Sequence, residues 1–115
     1  MDATRQVFES VARYFSLLSE PTRLRIMHSI CQQEKSVNDI AHELGASQTN
    51  VSRHLGLLYQ AGVLGRRKQG NQVLYRVTDA VFAEVCRMVC VRVAAELDID
   101  KTLKRRVKTF IAELG

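Results

Sequence analysis

The chain has 115 residues, of which 46% are hydrophobic and 25% are charged, a composition typical of one globular domain over residues 1–115. No apolar run approaches the roughly 20 residues that cross a bilayer, and no apolar leader follows the N-terminus. These features exclude a membrane protein and predict a cytoplasmic one, whose three cysteines are free thiols. A core of this size is modest, so a second copy of the chain would help to bury it.

Positive charge is concentrated in one third of the chain. The formal net charge of the whole chain is +5. No acidic residue occurs between Glu43 and Asp79, whereas the same stretch contains Arg53, Arg66, Arg67, Lys68 and Arg76. Such a distribution usually faces a polyanion, most often nucleic acid, and the alternative is a basic surface that is merely solvated.

The first third of the chain predicts two helices. Apolar residues recur at helical spacing over residues 7–18, which indicates a terminal helix over about residues 3–19. Pro21 is favourable in the first turn of the next helix, which we expect to reach about Gln32. The polar residues 32–35 predict a connecting loop.

Residues 36–61 predict a helix-turn-helix. Ser36 begins a capping box that starts a short helix, and Gly45 ends that helix. Ser47 caps a second helix, which stops before Gly62. Two short helices joined in this way are the arrangement that places the second one in the major groove of DNA.

Residues 63–77 predict a β-hairpin, because the periodicity changes from helical to extended after Gly62. The two arms are residues 63–68 and 72–77. We expect a three-residue turn between them, with glycine at its centre: Gln69, Gly70 and Asn71.

Two further helices are predicted over residues 79–114. Asp79 begins a long helix to about residue 97 that is apolar around most of its circumference, so it must be enclosed on several sides. In so small a protein the expected enclosure is a partner subunit, and we assign the terminal helices to a homodimer interface. Asp98 or Asp100 is expected to cap a last helix with one apolar stripe, made of Leu103, Val107, Phe110, Ile111 and Leu114.

The order of these elements predicts a mainly α-helical winged helix-turn-helix with extra terminal helices. Four segments resemble the ArsR family of bacterial arsenic- and metal-responsive repressors: LSEPTRLRI at 18–26, SQTNVSRHL at 47–55, AGV at 61–63 and GNQVLY at 70–75. The resemblance extends over roughly residues 7–97. It implies a homodimeric repressor that occupies an operator in double-stranded DNA and leaves it when an effector acts.

The second helix of the helix-turn-helix carries the predicted DNA-reading face. With Val51, Leu55 and Leu58 towards the core, the opposite face presents short polar side chains and Gly56, which costs a helix about 1 kcal/mol and suggests close approach by something bulky. The alternative is a solvated polar surface, or, for His54, packing beside the apolar stripe. We predict DNA contacts from this helix and the hairpin by Ser47, Gln48, Thr49, Asn50, Ser52, Arg53, His54, Arg66, Arg67, Lys68 and Asn71.

The resemblance also implies an effector site, although several usual sites of the family are missing here. The DNA-binding helices contain no Cys-Val-Cys motif, and Asp79-Ala80-Val81 stands where zinc-type members have an Asp-x-His start. His28, His42 and His54 show no ligand spacing with one another. A zinc sensor of the usual design is therefore not expected.

The three cysteines are the candidate effector site. Cys86 and Cys90 are four residues apart and share a helix face, whereas Cys31 ends the second helix, which in the family lies close to the long terminal one. Three thiolates can bind trivalent arsenic, As(III), or antimony, Sb(III), in a pyramidal site. Alternatively, Cys31 pairs with Cys86 or Cys90 on oxidation or through a polysulfide bridge, or all three thiols only pack. DNA binding itself is expected to need no cofactor.

Nothing in the sequence predicts an enzyme. It contains no Ser/His/Asp or Cys/His order typical of a nucleophile, no glycine-rich phosphate loop after a strand, and no paired carboxylates on one face. The remaining alternative to a repressor is a winged helix that binds other proteins. Steeply salt-dependent DNA binding would distinguish the two.

Overall fold

The computed structural model describes residues 2–97 and 101–114. Within them, six helices and three short strands confirm the predicted winged helix-turn-helix. In chain order the elements are α1 (Ala3–Ser16), α2 (Pro21–Ile30), β1 (Lys35–Ser36), α3 (Val37–Leu44), α4 (Gln48–Gln60), β2 (Leu64–Gln69), β3 (Gln72–Val77), α5 (Ala80–Glu96) and α6 (Lys101–Leu114).

Side-chain caps fix where the two helices of the helix-turn-helix begin. Ser36 Oγ accepts a hydrogen bond from the backbone N–H of Asp39 (3.1 Å), and Ser47 Oγ accepts one from the N–H of Asn50 (3.1 Å). Both predicted caps are confirmed. Each satisfies an N–H group that the first helical turn leaves without a partner, so α3 and α4 start at defined positions on either side of the turn at Gly45.

The wing belongs to a three-stranded antiparallel sheet in the order β1, β3, β2. The prediction that residues 32–35 form only a loop is wrong at its end, because Lys35 pairs with Tyr75 and Ser36 pairs with Leu74. A strand of two residues is too short to show alternation in a sequence. It forms because the cap residue Ser36 is extended, with ψ 162, and can therefore pair with a neighbouring strand.

The hairpin turn has two residues instead of the predicted three. Gln69 pairs with Gln72, which leaves only Gly70 and Asn71 in the turn. Gly70 has φ 61, whereas Asn71 keeps a negative φ. This is the pattern of a type II′ turn, which needs glycine first and matches the twist of the two strands.

The core lies between the helix-turn-helix, α2 and the sheet. Val51, Leu55 and Leu58 of α4 are each 0% exposed, which confirms the predicted inner face of that helix. Ile26 from α2 and Phe82 from α5 are equally buried and complete the same cluster. The predicted DNA-reading helix therefore rests on a rigid base.

The terminal helices are held to this core at a few points. The Tyr14 hydroxyl donates to Asp79 Oδ2 (3.2 Å), and its ring packs edge-on against Phe82 with centroids 5.4 Å apart. At the other end, the ring of Phe110 lies 4.2 Å from that of His28, and Glu113 Oε2 lies 2.6 Å from His28 Nε2. α1 nevertheless contains no buried residue.

The predicted caps of the last helix, Asp98 and Asp100, lie outside the described residues, as does the side chain of Leu103. The remaining members of the predicted stripe on α6 are half-buried: Val107, Phe110, Ile111 and Leu114. In the described ranges, no helix is long and apolar enough to cross a membrane.

Candidate nucleic-acid interface and thiol cavity

The outer face of α4 is polar and open. Ser47, Gln48, Thr49, Ser52 and Arg53 are exposed, and Asn50 is half-buried. Because the opposite face is locked in the core, these side chains are presented together at the N-terminal end of the helix, where backbone N–H groups also point outwards. Helix N-termini of this kind attract phosphate groups.

Two hydrogen bonds arrange the polar face of α4 before any ligand is present. Arg53 Nη2 donates to Asn50 Oδ1 (2.9 Å), one turn earlier on the same helix. Gln48 Nε2 donates to Asn38 Oδ1 and so joins the start of α4 to α3. The guanidinium of Arg53 is thereby held at the surface with donors still free for an acceptor such as guanine.

The structure moves one predicted contact, His54, into the interior. Its side chain is only 4% exposed, since it lies beside the apolar stripe of α4. Arg23 Nη1 of α2 lies 3.3 Å from Nδ1, and Glu20 Oε2 lies 3.5 Å from Nε2. Arg53 Nη2 also lies 3.3 Å from Nε2, so groups of the protein itself flank both ring nitrogens. His54 is therefore a link between α2 and α4 and cannot reach a phosphate.

Burial lowers the pKa of His54, and the nearby Arg53 and Arg23 lower it further, while Glu20 opposes them. A neutral imidazole is consequently favoured in the folded protein. It can accept a hydrogen bond from Arg23 in that state, which the protonated ring cannot.

The wing presents its positive charges unequally. Lys68 and Asn71 are exposed at the tip of the hairpin. The guanidinium of Arg66 lies 3.9 Å from the centroid of the Tyr59 ring, a cation–π contact that fixes the hairpin against α4. Arg67 forms a forked ion pair with Glu34, in which Nε lies 3.0 and 3.1 Å from the two carboxylate oxygens. Glu34 thus neutralises one of the predicted DNA-binding cations.

The cysteines do not converge as the three-thiolate hypothesis requires. Cys86 and Cys90 line one cavity between α1, α2, α5 and α6, whereas Cys31 lies outside it, with Sγ 3.3 Å from the carbonyl oxygen of His28 and 3.5 Å from that of Glu113. Among residues 2–97 and 101–114, no three His, Cys, Asp or Glu side chains are arranged to hold a metal ion. The structure therefore groups two of the three predicted thiols.

Burial disfavours the thiolate form of all three cysteines. Burial raises the pKa of Cys86 to about 11, and a charge on Cys90 would raise it further. Burial also raises the pKa values of Cys90 and Cys31. Oxidant-sensing cysteines usually have lowered pKa values, so this environment does not favour the predicted oxidation to a disulfide.

Sequence reasoning missed the acidic partners of the interface. Glu34 and Glu20 lie 33 and 34 positions from the residues that they contact, Arg67 and His54, and no local spacing connects them. The sequence therefore offered no signal that would have paired either acid with its partner.

Comparison with known proteins supports this geometry. A family model for bacterial regulatory proteins of the arsR family matches residues 20–64. An uncharacterised HTH-type transcriptional regulator of Mycobacterium tuberculosis is 31% identical over 94 residues, which cover 78% of this chain and 82% of the relative. A probable mercury resistance operon repressor of Streptomyces lividans is 32% identical over 93 residues, which cover 78% and 74%.

A solved structure agrees over most of the fold. The homodimeric winged helix-turn-helix DNA-binding domain of a possible ArsR-family regulator from Mycobacterium bovis matches with a TM-score of 0.76 at 28% identity. The match covers 85% of this chain and 91% of that one.

Proposed function

This chain belongs to the arsR family of bacterial regulatory proteins, and from that premise we propose that it represses transcription as a homodimer on a palindromic operator. The observation that carries this proposal is the exposed polar face at the start of α4, held on a buried base beside a basic hairpin. We further propose that the repressor leaves the operator when an effector acts on Cys86 and Cys90.

In this proposal α4 enters the major groove. Thr49, Ser52 and Arg53 then face base edges, and Arg53 can make the bidentate contact with guanine that discriminates best among base pairs. Ser47, Gln48 and Asn50 lie at the N-terminal end, next to the phosphate backbone. Lys68 and Asn71 at the tip of the wing extend the contact along the neighbouring backbone.

A second copy of the chain is needed to cover the terminal helices. Phe8 of α1 is 68% exposed, and Val81 and Met88 of α5 are 66% and 58% exposed. The radius of gyration is 15.6 Å, against about 13 Å expected for a compact domain of this length. Large apolar side chains on helices that protrude from the core are typical of a subunit interface. The M. bovis relative is itself described as homodimeric.

Helix α2 connects the thiol cavity to the DNA-reading helix. On one side, Leu24 lines the cavity next to Cys86 and Cys90. On the other, Arg23 reaches His54 of α4, and Arg25 Nη2 donates to the carbonyl oxygen of Leu44 at the end of α3 (2.8 Å). An effector that shifts α2 therefore changes the position of both helices of the helix-turn-helix. The conformation that binds the effector then differs from the one that binds DNA, as release from the operator requires.

Fluorescence anisotropy with a duplex from upstream of the gene tests DNA binding. We expect affinity to fall steeply with salt, since counterions are released when phosphates are contacted, and to exceed that for a random duplex. Arg53→Ala should reduce operator affinity by about 1–3 kcal/mol and affect random DNA less. Failure of every duplex to bind at low salt would instead favour a winged helix that binds proteins.

Sedimentation tests the dimer. Met88→Glu should yield monomers, because it places a charge in the proposed interface, whereas Leu57→Glu on α4, a comparably exposed site (47%), should remain dimeric. A monomeric wild-type chain, or equal effects of the two variants, would contradict the proposed interface.

A further inference from the structure

Leu57 is a large apolar side chain on the polar outer face of α4. It is 47% exposed, although the apolar residues on the opposite face of the same helix are fully buried. It follows Arg53 by four residues and Thr49 by eight, so the three side chains form one row along the helix. Packing of the core therefore does not account for Leu57, and the row puts it beside whatever group Arg53 contacts.

The apolar surface at Leu57 is small. About one turn away on the outer face lie Arg53 and Gln60, which are both polar and exposed. His54, on the other side of Leu57, is buried. Apolar patches that bind proteins usually extend over an area on the order of several hundred Å². A single side chain does not supply that area, but it can cover one methyl group.

Gly56 leaves open space beside Leu57. A Cβ atom built on Gly56 meets no other atom within 4 Å, so the backbone of α4 can come close to a bound molecule at this point. The next side chain, Leu57, then comes within reach of the same molecule. An α-helix rises 1.5 Å per residue, so Leu57 lies about 6 Å beyond Arg53 along the axis, roughly the length of two base-pair steps in DNA.

The base edges of the major groove present one apolar group, the C5-methyl group of thymine. The other groups that distinguish the bases there are hydrogen-bond donors and acceptors. The side chain of Leu57 cannot form a hydrogen bond, and a donor or acceptor that it covered would lose its water without a replacement. Leu57 therefore favours thymine over the other three bases.

We propose that Leu57 is a specificity-determining residue that packs against the C5-methyl group of a thymine, within about two base pairs of the guanine that Arg53 contacts. This inference rests on the proposed function, because it requires α4 to lie in the major groove. Burial of one methyl group against an apolar side chain corresponds to about a fourfold gain in affinity. Leu57 thus adds an apolar contact to the polar contacts of the same helix.

Replacement of thymine by deoxyuridine tests this contact, because the two nucleotides differ only in the C5-methyl group and pair alike with adenine. Anisotropy is measured on operator duplexes in which each thymine is replaced in turn. We expect one such replacement in each half-site to weaken binding about fourfold. Leu57→Ala should abolish the response at that thymine and should weaken binding to the unmodified operator about fourfold per half-site. Combining the change in the protein with the change in the DNA isolates the contact between them.

Two control variants accompany Leu57→Ala. Leu57→Met keeps an apolar side chain of similar volume and should keep the response to deoxyuridine. Val73→Ala shortens another exposed apolar side chain (38%), on the wing, and should leave the response at that thymine unchanged. Alanine has a higher helix propensity than leucine, so Leu57→Ala should fold and should sediment as a dimer.

The outcomes separate this inference from the proposed function. A response to deoxyuridine that persists in Leu57→Ala would overturn the assignment, because another residue would then contact the methyl group. Operator binding that no thymine replacement weakens would contradict it as well, while leaving the repressor intact. A monomeric Leu57→Ala protein would also refute it, since Leu57 would then lie between two copies of the chain. A chain that binds no duplex would refute the proposed function together with this inference, before any thymine is replaced.

Discussion

Gly56 distinguishes the requirements of folding from those of DNA binding. A Cβ atom built on Gly56 meets no other atom within 4 Å, so Gly56→Ala adds a methyl group to α4 without a clash. Alanine is favoured over glycine in a helix by about 1 kcal/mol, partly because it restricts the unfolded chain. We therefore expect the free energy of unfolding to rise by about 1 kcal/mol per protomer, which corresponds to roughly 4 °C in Tm.

Operator binding should change in the opposite direction. Gly56 lies on the face of α4 that, in our proposal, enters the major groove. An extra methyl group there would hold the helix away from the bases. The loss of one base contact is about 1.4 kcal/mol, or a tenfold weaker affinity for the operator. Affinity for random DNA, which depends on phosphates, should change less.

Thermal unfolding and anisotropy titrations measure the two effects on the same sample. Gly62→Ala is the matched control: it makes the same chemical change in open space, but at φ 83, so it should destabilise the chain by about 1 kcal/mol. Unchanged operator affinity of a stabilised Gly56→Ala protein would refute the close approach of α4 to DNA. A destabilised Gly56→Ala protein would refute the argument from helix propensity.

Three further changes test individual contacts. Ser47→Ala should lower the free energy of unfolding by about 1 kcal/mol in urea titrations, because it removes the cap of α4. Glu34→Gln should free Arg67 from its ion pair, so that it can contact one more phosphate. The plot of log affinity for DNA against log salt concentration should then become steeper by about one unit, whereas an unchanged slope would place Arg67 away from DNA. Because the pKa of His54 is lowered by folding, the unfolded chain binds more protons below about pH 6.5. The stability that the neutral His54 contributes above that pH should be lost as pH falls. Urea titrations above and below about pH 6.5 should show that the free energy of unfolding of His54→Gln depends less on pH than that of the unchanged chain.

Local signals predicted the helix-turn-helix well. Ser36 and Ser47 start their helices where the sequence indicated, because an N-cap acts over only three residues and is therefore visible in one short segment. The inner face of α4 could be predicted for a similar reason: Val51, Leu55 and Leu58 repeat at helical spacing, and that spacing alone fixes which side is buried.

Contacts between distant segments could not be predicted in this way. His54 occurs within a polar helix and looks like a phosphate ligand until Arg23 and Glu20 of another helix are placed beside it. Arg67 looks like a free cation until Glu34 pairs with it from the connection before β1. In both cases the type of side chain is visible in the sequence. Whether that side chain contacts another residue of the chain or is available to DNA depends on how distant segments pack.

The cysteines show how the same limit bears on function. From sequence, helical spacing pairs Cys86 with Cys90, whereas only the resemblance places Cys31 near them. Binding of trivalent arsenic or antimony, pairing on oxidation or through a polysulfide bridge, and simple packing all stay open. In the structure Cys31 lies outside the cavity that Cys86 and Cys90 line, and the facing walls are apolar side chains from α1, α2 and α6. Because the position of Cys31 depends on how α2 and α6 pack, spacing along α5 alone could not show that it is separated from the other two thiols.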